Sequence, residues 1–370
     1  VSFDWTLLAP THKPSARNNY YIAHDQTNSN ILLFGGGQNF STAASYLNDT
    51  WVYQAGDWTQ KSPVHSPSAR QAHAYVYDET NHNVVLFGGL NTSLTALNDT
   101  WTWDGSDWTQ HFPTHTPGAR FTTFMTYDRA NGNVVMFGGA SAIEFFVPTV
   151  INDTWTWNGT DWTQHSPTHS PSARQAGGNN CCFDTANNNV VVYGGQSGFS
   201  YNQDTWTWNG TDWTQAATTV VSGQSPFLSM AYCGSEGMVV AQGGGRTNPT
   251  YLWNGSAWSS VTTASGNAPS TAAMCEGLTA GSVLMWMGQE STSWLNNLYY
   301  GFNYPLVIST MLNTHVPSDT QTAVAASGAT GVSSGHVMVN VHVPSGTQTT
   351  PPTGSTGTTG GRVFNTRLPI

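Results

Sequence analysis

Charge is what this 370-residue chain has least of: 8% of its residues are charged, Lys13 and Lys61 are its only lysines, and the formal net charge is −10. Without a basic stripe nothing is available to neutralise phosphates, which excludes nucleic acid as a partner. No run of about eighteen apolar residues occurs, so no membrane span is expected. Val1 is neither an initiator Met nor the start of a basic and apolar signal sequence, and the chain reads as a processed, soluble product. Helical periodicity of any length is missing. So are a nucleophile elbow, a zinc-binding helix and a phosphate loop, and no metal or cofactor is expected on motif grounds. Cysteine is scarce, with four residues at Cys181, Cys182, Cys233 and Cys275.

What the chain has in abundance is repetition. "INDTWTWNGTDWTQHSPTHSPSARQ" begins at Ile151, and a near copy, "LNDTWTWDGSDWTQHFPTHTPGARF", begins at Leu97. Further copies start at Leu47 and Asn202, and a worn one at Thr250. Between them recurs a second phrase, "ILLFGGG" at Ile31, "VVLFGGL" at Val84, "VVMFGGA" at Val134, "VVVYGGQ" at Val190 and "VVAQGGG" at Val239. A period of about fifty residues means stacked supersecondary units.

One unit shows what is stacked. "RQAHAYVYD" alternates as a strand, "ETNHN" breaks it, and "VVLFGG" is an apolar run ended by glycines that take positive φ. "DTWTW" and "SDWTQ" follow, with a two-residue Asp-Gly hairpin turn expected between them. Each unit is therefore four antiparallel strands. Trp101 and Trp103 share one face of the third strand, within reach of Trp108 on the fourth. A sheet this small cannot hide its indoles alone, so the units must pack face to face around an axis.

The paired glycines, the aromatic on the next strand and the Trp on the one after form the Kelch signature. The chain resembles Kelch-repeat β-propellers, similar to the central domain of galactose oxidase, over residues 1–303. The resemblance implies an all-β propeller. Five glycine strands, the fifth with Gln242 in place of the aromatic, and a degenerate sixth that keeps only Gly288 of its pair give six blades. "FDWTLLAPTHKPSAR", from Phe3, matches a fourth strand and the junction after it, so the N-terminal strand is expected to complete the sixth blade and remove two open edges.

The blade junctions repeat as "THKPSAR", "VHSPSAR", "THTPGAR" and "THSPSAR", placing His12, His65, His115 and His169 with Arg17, Arg70, Arg120 and Arg174 at equivalent positions. One reading is a ring of donors for an anion, a sugar or an acidic peptide. The other is that copied residues serve the copy, each Arg meeting a carboxylate or carbonyl and each His fixing its turn. The longest loop, "ASAIEFFVPTV" from Ala140, carries Ile143, Glu144, Phe145 and Phe146. It is too apolar for a free loop and marks a contact surface or a plug on the channel mouth. Asp, Asn and Asn recur at fixed offsets in "DQTNSN", "DETNHN", "DRANGN" and "DTANNN". A calcium site needs more carboxylates, whereas Asx turns account for the pattern.

Cys181 and Cys182, Cys233, and Cys275 lie on the first strands of successive late units and are expected either to form disulfides or to be buried thiols. Glycosylation sequons stand at Asn39, Asn48, Asn91, Asn98, Asn152, Asn158, Asn209 and Asn254, which favours an extracellular address, although several fall inside copied turns. The copper-radical oxidases that the propeller resembles use two Tyr and two His, one Tyr cross-linked to Cys. The tail has His315, His336 and His342, but no spacing marks the remaining ligands, and fold similarity does not carry catalysis.

Residues 304–370 are rich in Thr, Ser, Gly and Pro. Their clearest element is "HVMVNVHV", in which Val337, Val339, Val341 and Val343 share one face of a strand with no evident partner in the blades. The expectation is a non-enzymatic extracellular propeller, a structural or adhesive subunit that self-associates through this tail. A carbohydrate- or protein-binding module using the loop face is the first alternative, and a copper-radical oxidase the second.

Overall fold

The computed structural model describes residues 10–15, 17–37, 46–144, 147–176, 179–216, 228–234, 237–243, 250–261, 273–276, 283–286, 336–342 and 363–369. These residues form strands and turns without a helix. The chain divides into two compact units, Val1–Asn313 and Thr314–Ile370.

In the first unit the recurring phrases become antiparallel four-stranded blades. The second blade pairs Ala74–Asp78 with Asn83–Asn91, then Ala96–Trp103, then Trp108–His111. Equivalent blades begin at Ile22, Phe124, Cys181 and Leu228. Their first strands stand side by side around an axis. This is a β-propeller arrangement, with five complete blades rather than the expected six. At the closing place lies a two-stranded hairpin, Ala273–Glu276 paired with Val283–Trp286, whose first strand touches Leu228–Cys233 on one side and Ile22–Asp25 on the other. The last unit has lost most of the copied letters that build third and fourth strands. Residues 1–9, expected to close the ring, lie outside the described residues.

The core is made between blades. Leu32 and Phe34 of the first blade pack with Tyr75, Leu86, Trp103 and Trp108 of the second, and the pattern recurs around the ring. Trp103 and Trp108 are cross-strand partners with ring centroids 5.5 Å apart. Both are almost fully buried. Burying an indole of about 200 Å² stabilises by roughly 5 kcal/mol, several times a typical hydrogen bond.

Hydrogen bonds decide how the blades line up. The Trp108 indole N–H donates to Thr50 Oγ1 of the preceding blade at 3.0 Å. Trp162 donates to Thr100, Trp213 to Thr154 and Trp258 to Thr205 in the same way. The expected two-residue turn occurs in the first blade, where Ala55 and Gly56 both have positive φ. Elsewhere the loop has four residues, because the side chain of Asp104 accepts the amides of Ser106 and Asp107 and keeps Asp104 itself out of the left-handed region. Gly105 must be glycine for two reasons. Its φ is +102°, and a Cβ there would strike the Asn28 amide of the preceding blade.

The second unit's described residues form one antiparallel hairpin, His336–His342 with Val363–Pro369, in which Val339 faces Thr366. The valine strand finds its partner at the end of the tail itself.

The Thr–Trp bond predicts a specific loss. Thr100→Val keeps the shape but leaves the buried Trp162 N–H without an acceptor, and should destabilise by about 1–3 kcal/mol in urea titrations. Thr100→Ser keeps the acceptor and should lose less.

Candidate functional site

The copied histidines and arginines sit on the strap that leads from each blade to the next. The strap's main chain belongs to the blade before it: Arg70 N–H donates to Leu47 O, and Arg70 O accepts from Gly36 N–H. Its side chains grip the blade after it. Arg70 is buried, with Nε on Ser68 O, Nη1 on Gly88 O and Asp99 Oδ1, and Nη2 on Ser68 Oγ and Asp99 Oδ2. All five N–H donors are used. Arg17 and Arg174 repeat the pattern on Asp49 and Asp204. Arg120 repeats it on Asp153, but Gly118 stands where the others have Ser15, Ser68 and Ser172, so the fifth bond is missing. A Cβ on Gly118 would meet nothing nearer than 4.0 Å. Gly118→Ser should therefore stabilise by about 0.5–1.5 kcal/mol, read as a raised urea midpoint with unchanged slope.

His12, His65, His115 and His169 are exposed and clasp the turn between the third and fourth strands of the following blade. Each main-chain N–H donates to one carboxylate oxygen of Asp57, Asp107, Asp161 or Asp212. Each Nδ1 lies 2.7 to 2.8 Å from the other oxygen. Hydrogen bonds from ring and main chain hold these four carboxyls below the usual carboxylate range. The Asp of the tight turns is likewise used locally, Asp78 accepting Asn81 N–H and Asn81 Nδ2.

Protonation couples to this bracing. Burial would raise the Asp99, Asp153 and Asp204 carboxyls, but the bonds and charge of Arg70, Arg120 and Arg174, with an indole N–H each, hold them low. Buried His73 is likewise lowered, down to about 3, but here burial is itself the main cause, followed by the Arg70 charge. Its ring packs edge-on against Tyr21, Phe34 and Tyr75. A lowered histidine costs stability as pH falls below its unfolded pKa of about 6.5, whereas a lowered carboxyl keeps its contribution until pH falls below about 4. Melting temperature should thus decline in two stages on acidification. His73→Phe should lessen the first, to which the lowered His24, His111 and His165 also contribute, measured between about pH 7 and pH 5, and leave the second.

The four cysteines are thiols, with no disulfide among them. They are separated by the blades: Cys181 packs in the core between blades three and four, Cys182 between four and five, Cys233 beside the closing hairpin, and Cys275 against the first blade. Burial pushes the Cys181 thiol up to about 12 and raises Cys182 and Cys275 as well, so these three are not poised as nucleophiles.

The long loop is a β-hairpin, Ala140–Glu144 with Val147–Val150, in which Ile143 faces Pro148 and Glu144 faces Val147. Phe145 and Phe146 lie outside the described residues. Asn48, Asn98, Asn152, Asn158, Asn209 and Asn254 are exposed and Asn91 half-buried, while Asn39 lies outside the described residues. Asn158, Asn209 and Asn254 do the turn work that Asp104 does in its blade, accepting the amide two residues on.

A different cluster gathers where the copies disagree. After the Asp that ends the innermost strand of each of the first four blades stand Gln26, Glu79, Arg129 and Thr185. Arg129 Nε donates to Glu79 Oε1 at 2.6 Å, Nη1 to Thr185 Oγ1 at 3.1 Å, and Nη1 and Nη2 to the two oxygens of Glu276 at 2.9 Å each. Gln26 Nε2 donates to Glu79 Oε1 at 3.1 Å. Gln26, Glu79, Arg129 and Glu276 rim an axial cavity of ≈ 90 Å³ that His24, Tyr232 and Cys182 also line. His24 is held below its ordinary value by burial, against the pull of Glu276. Sequence reading missed this site because it followed the copied letters. The signal that finds it is the opposite one, a single variable position beside the Asp shared by the first four blades. Among the described residues no three His, Cys, Asp or Glu are grouped to hold a metal.

Blades, straps and axial cavity together define the class of this protein, a β-propeller. No family model matches the chain, and no curated protein matches its sequence. The fold by itself does not carry a function.

Proposed function

We propose that this chain is a non-catalytic, extracellular Kelch-type propeller, a structural or adhesive subunit of a surface assembly, its ring completed to six blades by the N-terminal strand. One observation carries the reading. The polar side chains copied with the repeat are engaged in holding blade to blade, as a rigid building element requires, and burial raises the thiols of Cys181, Cys182 and Cys275. Exposed sequon asparagines suit a glycosylated exterior. The tail forms its own unit, and among its described residues the two strands pair only with each other, leaving outer edges of the kind that pairs with another chain. Repeated head-to-tail pairing of that kind builds a ring or a filament.

A second reading, a binding module, is favoured by the Arg129 cluster at the cavity rim, because it departs from the repeat and bracing does not require its variety. Light scattering separates the two. Under the first reading the intact chain self-associates with rising concentration, and removal of residues 314–370 leaves a folded monomer. An intact chain that stays monomeric at high concentration removes the connector role and leaves the binding module.

A further inference from the structure

The axial cavity carries an excess of negative charge. Among the described residues that line it, Arg129 is the one side chain with a fixed positive charge, and it meets two carboxylates, Glu79 and Glu276. Asp25, Asp78, Asp128 and Asp184, which end the innermost strands beside these groups, add to the excess, and all four are buried. The wall registers the balance. Burial acts first on His24, Tyr232 and Cys182, followed at Cys182 by its neighbour Cys181. Of the charges that act next, Glu276 and Asp25 outweigh Arg129 at His24, and Asp184 and Glu276 outweigh it at Tyr232 and Cys182. These three residues belong to the first, fifth and fourth blades, so the excess is a property of the cavity rather than of one corner.

Much of that wall is aromatic. Tyr77, Tyr127 and Phe183 line the cavity, and the two hydroxyls are taken up by Thr27 and Thr80, which leaves the rings for a guest. Tyr75 differs. It lines the cavity, is only 4% exposed, and its hydroxyl has no hydrogen-bond partner among the described residues. Nδ1 of His24, also a wall residue, is buried and unpartnered in the same sense. Buried polar atoms are nearly always paired, so two exceptions in the wall of one cavity point to a guest that supplies their partners.

Building on the binding-module reading of the Arg129 cluster, we propose that the axial cavity binds a small alkylammonium ion. The charge of such an ion meets Glu79 and Glu276 in competition with Arg129, and its short stem lies against the tyrosine and phenylalanine rings, whose faces attract cations. Its N–H groups are what a neutral imidazole nitrogen and a phenol oxygen accept. The ≈ 90 Å³ of the cavity is several times the roughly 10–15 Å³ that one water needs, so a stem of a few carbons fits. A bare metal ion suits the site less, because among the described residues no three His, Cys, Asp or Glu are grouped to hold one. An anion would enter against the carboxylates.

The test is calorimetric titration of the full chain with propylammonium chloride, and with sodium acetate and glucose as the anionic and neutral probes. Saturable heat from propylammonium alone is the expected result in the unaltered chain, a measurement that needs no variant to fold. About 0.5 M NaCl should weaken that binding several-fold. Glu79→Gln and Glu276→Gln should each weaken it about tenfold. Asp104→Asn makes the same change of charge at a turn where other blades already carry Asn, and should alter binding less than about twofold. Arg129→Met should tighten binding, because it removes the competitor for the carboxylates. Saturable binding of acetate or glucose without propylammonium would overturn the ammonium assignment and leave the binding module standing. Silence from all three probes would overturn the inference, while the module reading is decided separately by light scattering. An equal loss in Asp104→Asn and Glu79→Gln would show attraction to the acidic chain as a whole and would also overturn the site.

Discussion

The buried guanidinium of the strap is the constraint on which the rest of the molecule depends. A charge taken out of water costs several kcal/mol unless its hydrogen bonds are replaced. Here the replacement is complete at Arg17, Arg70 and Arg174, whose five donors meet a carboxylate, a glycine carbonyl and a serine two residues back. The geometry leaves one solution for three pieces of chain at once. The strap is set against the preceding blade by its main chain, the following blade by its side chain, and the paired glycines are required because the next strap's carbonyl passes so close. A Cβ on Gly88 would lie 2.5 Å from Arg120 O. An apolar residue of similar volume could fill the space but could not orient two blades.

Energy and orientation come from different groups. Tryptophan burial between blades is the larger stabilising term, and it is tolerant of small displacements. The smaller polar terms select among those displacements. Asp99 shows the economy of the motif, since the same carboxylate takes two bonds from Arg70 and one from the Trp101 indole, while the adjacent Thr100 accepts from Trp162 of the next blade. Each letter of "DTW" thus faces a different neighbour. Copies also vary in pairs across an interface. Thr27 bonds the hydroxyl of Tyr77, and Thr80 that of Tyr127. Where the third blade has Ala130, the fourth answers with Phe183, so neither hydroxyl is stranded.

Against this uniform background the departures carry the information about function. Gln26, Glu79, Arg129 and Thr185 fill one copied position with four different side chains, and the bond of Arg129 to Glu276 makes a tie across the axis.

Much of this was legible in the order of residues. The fifty-residue period, the double glycines and the alternating aromatics determine four-stranded units and their stacking, because strand periodicity and turn chemistry act over a few residues. The sequence also determines that the strap residues recur, and so that their role is shared. It does not choose between a ring of ligand donors and a set of braces. That choice depends on which atoms meet across distant positions, such as His65 with Asp107, 42 apart, and Arg70 with Asp99, 29 apart. The four-residue turns needed the side-chain competition at Asp104 to be seen. The tail's valine strand needed a partner in its own last residues. The meeting of Glu79, Arg129 and Glu276 lay furthest from view, since nothing local links a residue of the third blade to one 147 positions later. Only closure of the ring brings those two charges together, because the distance between them is set by the packing of every blade between.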